Sequence, residues 1–300
     1  MSLPPVLVSR ADRLGDLVLS IPTLKFLRDH GFGQIVLRVS AYAKDVGLWA
    51  KANGYCDEVV SDGDTAAPFI KPTHVLCLFY DPNIGRSLKA HGIQKSWGPR
   101  SRLQALWTFS KSVAQHRSRV AMSEMHYNLD LARVVIKDLG QPLHDFSGCP
   151  PLAIPSDWAA LNVPKPEVVV NLANRGSAAN WGVTQYLEWV RQHRAQNPKA
   201  HVTFLLSGDG AAEIEAELTA GGILGEPRVA LQKSFSTVRE LIVFLSRASL
   251  VVSSSTGPLH IAHAAGVEVL GLYPTKRVES FDRWRPDGFW HQAPVSLIEF

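Results

Sequence analysis

Along the first half of the chain, short β-branched apolar runs alternate with stretches in which apolar residues recur every three or four positions. Residues 6–9 and 35–39 carry the first pattern, and residues 17–27 between them carry the second. A short, almost wholly apolar run suits a strand covered on both faces, whereas a 3.6-residue period suits a helix lying on a sheet. Strand, helix and strand in that order predict a βαβ unit with parallel strands. Further strands are expected at 58–60 and 74–79, and a helix at 125–139 that ends at Gly140.

The segment 141–166 has little periodicity and holds Pro142, Pro150, Pro151, Pro155, Pro164 and Pro166, the texture of a connection between domains. Beyond it the alternation restarts, with strands expected at 168–172, 202–207, 250–253 and 267–272 and helices at 184–197, 211–220, 238–246 and 258–265. No repeat at a solenoid period is evident. A chain of 300 residues exceeds what one hydrophobic core usually spans, although length alone leaves a single larger α/β domain open. The expected organisation is two α/β domains, 1–150 and 151–300.

Composition narrows the class. Hydrophobic residues make up 46% and charged residues 19%, as in a soluble globular protein rather than a disordered one. Cys56, Cys77 and Cys149 are odd in number and widely spaced, which suggests neither a disulfide framework nor a zinc site and fits a reducing compartment. The opening residues lack the basic region and long apolar stretch of a signal peptide, and no apolar run of about 18 residues is present. A cytoplasmic protein is expected. The net charge of +4 is modest, but its distribution is uneven. From Pro82 to Ser123 there is no Asp or Glu, while Arg86, Lys89, Lys95, Arg100, Arg102, Lys111, Arg117 and Arg119 all fall within that stretch.

Two turns carry candidate chemistry. Arg10-Ala11-Asp12-Arg13-Leu14-Gly15-Asp16 lies between the first strand and first helix, at the sheet edge where open α/β proteins bind ligands. Asp16 falls near the helix N-terminus, where free amides and the dipole favour a carboxylate, so an ordinary helix cap is the alternative reading. The second turn, Ser253-Ser254-Ser255-Thr256-Gly257-Pro258-Leu259-His260, follows a strand and opens a helix with Pro258 suited to a first helical position. Amides at Thr256, Gly257 and Leu259 would make an anion site for a diphosphate; the alternative is a Ser-rich turn with His260 packed on the helix. Gly208-Asp209-Gly210 is a weaker strand-to-helix turn, after which Glu213 serves equally as a ribose contact or as an acid favoured by the helix dipole.

Asp12-Arg13-Leu14-Gly15-Asp16, followed by Leu19-Ser20-Ile21-Pro22-Thr23-Leu24, resembles the opening signature of glycosyltransferase family 9, the heptosyltransferases. Thr256, Gly257, His260, Ala262 and Ala264 match the family pattern Asp-[Ser/Thr]-Gly-x-x-His-x-Ala-x-Ala. Val169 to Gly176 followed by Trp181, the Gly208 to Glu213 turn, and Leu270 to Thr275 with Trp284 are similar to further family segments, so the resemblance runs from residue 6 to about 286. It implies the GT-B architecture: two Rossmann-like domains facing across a cleft, the first binding acceptor and the second binding a nucleotide-sugar. It also implies that Asp16 is the general base, acting on the acceptor hydroxyl with a low resting pKa. The donor would be held by Arg175, Gly208, Glu213, Ser255, Thr256, Gly257, Pro258 and His260. Two family positions differ: Ser255 replaces the acid expected to contact the transferred sugar, and Ala179 replaces a phosphate-binding lysine, leaving Arg175 as the nearest substitute. The tail after Asp287 is shorter than the returning terminal helix of the family requires.

The expected activity is therefore inverting, metal-independent transfer of heptose from ADP-heptose to a lipopolysaccharide core or related acidic glycan, with no cofactor beyond the donor. Arg10, Arg13, Arg100, Arg102 and Arg119 are the candidate acceptor contacts, and peripheral contact with the inner membrane would follow from a glycolipid acceptor. Interleaved Trp97, Trp107 and Phe109 give the basic stretch a look that also suits single-stranded nucleic acid, but no nucleic-acid module is visible and none is expected as partner. A plain solvated surface, with Trp97 and Trp107 in the core, is the bland alternative. The rivals are a same-fold transferase using another nucleotide-sugar, and a degenerate, non-catalytic glycan- or nucleotide-binding protein. The first βα turn lacks the spaced glycines of NAD-dependent dehydrogenases.

Overall fold

The computed structural model describes residues 3–62, 64, 70–81, 84, 92–172, 180–206, 208, 210–289 and 295–300. The chain forms two compact units, one from the N-terminus to Leu152 together with residues 287–289, the other from Ala153 to Pro286 with the last strand.

In the first unit, β1 (Val6–Ser9), β2 (Ile35–Val39), β3 (Glu58–Ser61), β4 (His74–Cys77), β5 (Lys95–Pro99) and β6 (Lys111–Val113) form one sheet in the order β3-β2-β1-β4-β5-β6. The second is built from β7 (Val168–Asn171), β8 (Val202–Leu205), β9 (Val229–Gln232), β10 (Leu250–Ser254), β11 (Glu268–Tyr273) and β12 (Val295–Glu299), in the order β12-β11-β10-β7-β8-β9. Every pairing in both sheets is parallel. Each sheet thus starts at a central strand, adds two strands on one side and then crosses over to add three on the other. That is the doubly wound Rossmann order, with the direction reversing between β1 and β4 and between β7 and β10.

Among the described residues, the helices of five or more residues in the first unit are α1 (Leu14–Val18), α2 (Ile21–Asp29), α3 (Lys44–Ala52) and α4 (Glu124–Asp138). In the second they are α5 (Val183–Gln196), α6 (Ala211–Ala220), α7 (Val238–Ser246) and α8 (Gly257–Ala264). The central strands β1, β2, β4, β7, β8 and β10 are largely buried because helices cover both sheet faces, as parallel sheets require. Tyr186, Leu187 and Val190 of α5 and Leu218 of α6, for example, close over Val168, Val170, Val202 and Phe204. Each such side chain fully withdrawn from water contributes roughly 1.5–3 kcal/mol, which fixes the helices to the sheet and so places the strand ends.

The structure departs from the periodicity in two informative places. The single helix expected at 17–27 is two, broken at Leu19 and Ser20, because Pro22 lies in the first turn of α2 and cannot sit inside a continuous helix. The Ser20 hydroxyl donates to the Asp16 carbonyl (2.7 Å), taking up an acceptor that the break releases. The tail ends in edge strand β12, and residues 287–289 return to the first unit, where the Cys149 amide donates to the Gly288 carbonyl (2.7 Å) and the Ser123 hydroxyl to Asp287 (3.2 Å). Among the described residues no helix is long and apolar enough to cross a membrane.

Candidate functional site

Both turns singled out above lie at carboxyl ends of strands flanking a reversal of strand order. In the first unit, β1 leads through Arg10 into α1, in which Asp16 is the third residue. Its carboxylate makes no cap bond. It accepts instead from Arg10 Nη2, and both groups are buried, Arg10 to 2% exposure and Asp16 to 7%. The Arg10 guanidinium uses every nitrogen: Nε donates to Asp12 (2.7 Å), Nη1 to the Leu78 carbonyl, Glu124 and Asn128 (3.2 Å each), and Nη2 to Glu124 (3.3 Å) as well as Asp16. Arg10 is therefore a buried clamp rather than an acceptor-facing cation.

Glu124 and Asn128 are one turn apart on α4 and face Arg10 together. Glu124 also accepts from Arg117 Nη1, whose Nη2 shares the Leu78 carbonyl (3.2 Å). Asn128 Nδ2 donates to Ser20 Oγ (3.2 Å), and Ser20 in turn holds the Asp16 backbone, so a closed ring of bonds locates Asp16 from both its side chain and its main chain. The sequence carries no signal for Glu124 and Asn128 in this role, because an acid after Ser123 reads as ordinary first-turn capping.

Burial pushes the Asp16 carboxyl up to about 6; Arg10 opposes this, while the neighbouring charges of Asp12 and Glu124 add to it. The low resting pKa that accompanied the family reading is not what this environment gives, because desolvation outweighs the arginine. For Arg10 the balance is the reverse: burial works against its charge, but Asp16, Asp12 and Glu124 hold it more firmly protonated than usual.

Arg13 caps α1 and is exposed, and its charge acts on the Asp16 carboxyl. Arg100, Arg102 and Arg119 are exposed on the segments that follow β5 and β6, and the Arg100 amide donates to the Val113 carbonyl (2.7 Å), joining the two strand ends. Val120, next to Arg119, holds a left-handed backbone (φ 49°), an uncommon conformation for a β-branched residue. The two tryptophans of the basic stretch part company: Trp97 is wholly buried, and Trp107 is 75% exposed.

In the second unit, β10 runs into Ser255 and Thr256, and Thr256 is the N-cap of α8. Its hydroxyl does not cap the helix. It lies against Ser253 Oγ (3.0 Å) and receives Asn171 Nδ2 (3.3 Å), which links the ends of β7 and β10 across the reversal point. Of the three amides expected to bind diphosphate, Thr256 already donates to the Ser254 carbonyl (2.6 Å) and Leu259 to the Thr256 carbonyl (3.1 Å). Pro258 has no N–H, so among the described residues the Gly257 amide is the one the turn leaves for an anion.

His260 is buried, and burial pushes its pKa down to about 4, so it is a neutral hydrogen-bonding group rather than a countercharge at neutral pH. Its Nε2 lies 3.5 Å from Ser255 Oγ, which donates to the Trp284 carbonyl (3.3 Å); its Nδ1 is buried with no described partner. Ser255, Thr256, Gly257, Pro258 and His260 therefore form one cluster. Gly208 and Gly210 adopt the positive φ angles (92° and 79°) that a tight strand-to-helix turn asks of glycine, and Glu213 is exposed in the first turn of α6. Arg175 and Ala179 lie outside the described residues.

The sequence profile of glycosyltransferase family 9 (heptosyltransferase) matches residues 83–288. A Haemophilus influenzae protein described as "Putative glycosyltransferase" is 26% identical over 306 aligned positions, covering 94% of this chain and 85% of that protein. Among solved structures, the chain is similar to a family 9 glycosyl transferase of Veillonella parvula (TM-score 0.76, 15% identity, covering 100% of this chain and 86% of that one). It is also similar to the Escherichia coli ADP-heptose lipopolysaccharide heptosyltransferase II (TM-score 0.74, 15% identity, 98% and 90% covered). The fold in both cases is that of two Rossmann-like domains. With the profile spanning more than half of its length, the chain belongs to glycosyltransferase family 9, the heptosyltransferases, and is a glycosyltransferase.

Proposed function

We propose that this glycosyltransferase moves a heptose from ADP-heptose to a hydroxyl of a lipopolysaccharide core or related acidic glycan, with inversion and without a metal ion. The observation that carries the reading is Asp16, at the reversal point of the first sheet: Arg10 holds its carboxylate, Ser20 holds its main-chain carbonyl, and burial raises its pKa to about 6. Such a group is ionised at neutral pH yet more basic than an exposed aspartate, which suits a general base. The acceptor oxygen attacks the anomeric carbon as its proton passes to Asp16, and the bond from that carbon to the diphosphate breaks, releasing ADP. The N-terminal amide at Gly257 steadies the leaving diphosphate, Arg175 supplies its countercharge, and the turn of Gly208 with Glu213 receives the nucleoside. Arg13, Arg100, Arg102 and Arg119 meet acidic groups of the acceptor at the inner face of the inner membrane.

A second reading, transfer of another nucleotide-sugar on the same fold, is favoured by Ser255. The cluster that would face the sugar holds a neutral hydroxyl bonded to the Trp284 carbonyl beside a neutral histidine, with no carboxylate. Release of nucleotide diphosphate over a panel of nucleotide-sugars separates the two. Turnover with ADP-heptose, abolished in Asp16→Ala, is the expected result; turnover with a different donor alone selects the second reading. Neither turnover nor calorimetric binding of ADP would instead leave a non-catalytic binding protein.

A further inference from the structure

The loop between β5 and β6 turns its apolar side chains outward. Backbone bonds from Ala105 N to the Arg102 carbonyl, Leu106 N to Leu103, Trp107 N to Gln104 and Phe109 N to Ala105 make the stretch from Arg102 to Phe109 helical in its bonding. Residues 103, 106 and 107 therefore share one face and residues 105 and 109 the opposite one. The inner face is filled: Ala105 is fully buried, and the Phe109 ring packs edge-on to Tyr80 in the space over Gly98 that a side chain would otherwise take. Leu103, Leu106 and Trp107 are left 72%, 44% and 75% exposed, three large apolar groups on a single turn.

The charges that flank them along the chain are cationic. Arg100 and Arg102 are exposed on the same loop, Arg119 is exposed beyond it, and no Asp or Glu occurs from Pro82 to Ser123; Lys111 is paired with Asp138 (2.9 Å) and is left out of this set. The acids nearest this segment in sequence are committed elsewhere, Asp81 to Arg38 and Glu124 to Arg10 and Arg117. Because every strand pairing in this sheet is parallel, the loop follows the carboxyl end of β5 at the same sheet edge as Asp16 follows β1.

We infer that the turn from Leu103 to Trp107 is a docking element for an anionic lipid bilayer. An indole and two leucines on one face suit the boundary between headgroups and acyl chains, and the flanking guanidinium groups reach lipid phosphates while their stems lie along the apolar surface. A nucleic acid would meet the arginines but gain nothing from Leu103 and Leu106. A second copy of the chain would bring the arginines of the two turns together, and one helical turn is small against a stable dimer interface. The inference deepens the glycolipid-acceptor reading, on which only its biological purpose rests: a carboxyl edge held at the bilayer would meet an acceptor anchored there.

The test uses the full chain without donor or acceptor, sedimented with vesicles of phosphatidylcholine alone or of phosphatidylcholine mixed with phosphatidylglycerol. Binding is expected to the mixed vesicles, to weaken with added salt, and to fall at least about tenfold in the double variant Leu103→Ser, Trp107→Ser. Both side chains are exposed, so an unchanged melting temperature is expected for that variant. No binding of the wild type to mixed vesicles, or equal binding by the variant, overturns the inference. So does a concentration-dependent dimer that the double variant abolishes while vesicles are ignored, because a second copy would then be the occupant. Turnover on a soluble, delipidated acceptor should be the same in wild type and double variant; absence of turnover in both with vesicle binding intact sinks the acceptor reading and leaves the docking element standing.

Discussion

Arg10 lies between two carboxylates from distant parts of its unit, donating to Asp16 six residues on and to Glu124 a further helix away, 114 residues on. Around it, the ion pairs join three acids (Asp12, Asp16, Glu124) to two arginines (Arg10, Arg117), and the charge of Arg13 also acts on Asp16. Burial, reinforced by the charges of Asp12 and Glu124 and opposed by Arg10 and Arg13, is why the Asp16 carboxyl is hard to ionise.

Glu124→Gln removes one of the charges that raise Asp16 and should therefore lower the pH at which Asp16 ionises. The acid limb of the pH–rate profile should move to lower pH. Because Gln leaves the buried Arg10 and the half-buried Arg117 short of an anion, stability to urea should fall by about 3 kcal/mol. An acid limb that stays in place would show that Glu124 serves the fold and not the carboxylate.

Asp16→Asn should reduce turnover by roughly 10²- to 10⁴-fold, the usual contribution of one positioned base. In the wild type, activity should rise with pH through about 6, since the base must be ionised to accept a proton. Full activity in the Asn variant would place the base elsewhere.

Two groups should tilt stability against pH in opposite directions. The folded pKa of Asp16 is raised from 3.8 to about 6, so its contribution is fully present below pH 3.8 and is lost as pH rises through 6. The folded pKa of His260 is lowered from 6.5 to about 4, so the unfolded chain binds the extra proton and stability rises with pH over that window. Melting curves from pH 4 to 6.5 should accordingly gain a rising component in Asp16→Asn and a falling one in His260→Gln relative to the wild type. Identical pH dependence in all three proteins would refute both assignments.

Gly98→Ala should cost about 1–3 kcal/mol, because the added methyl overlaps the buried Phe109 ring and one of them must shift. Since Phe109 anchors the Leu103–Trp107 turn, limited proteolysis should cut that loop faster in the variant. Unchanged stability would mean that the ring has room the packing does not suggest.

Much of the architecture is readable from pattern. Alternating apolar runs and helical periods from Val6 onward predict parallel strands covered on both faces, and the helices 211–220 and 238–246 coincide with α6 and α7. The strands that pattern misses, β5, β6, β9 and β12, are short and interrupted or bordered by charge: Lys95 opens one and Gly98-Pro99 closes it, and Lys111 opens the next. Their pairing rests on neighbours in space, such as Asp138, which takes both lysines and the Trp97 indole (3.1 Å).

The chemistry divides in the same way. That Asp16 and the Thr256 turn sit where a parallel sheet opens is legible in the chain itself, because a strand followed by a turn and a helix start puts those residues at a carboxyl edge. What Asp16 is worth as a base, whether Arg10 faces solvent, which amide of the Thr256 turn remains for an anion, and which tryptophan lies outside all belong to the folded molecule. Periodicity records which side of an element meets the core. It carries no record of the local dielectric or of a partner such as Glu124 more than a hundred residues away, and those are the quantities that set a buried proton's affinity.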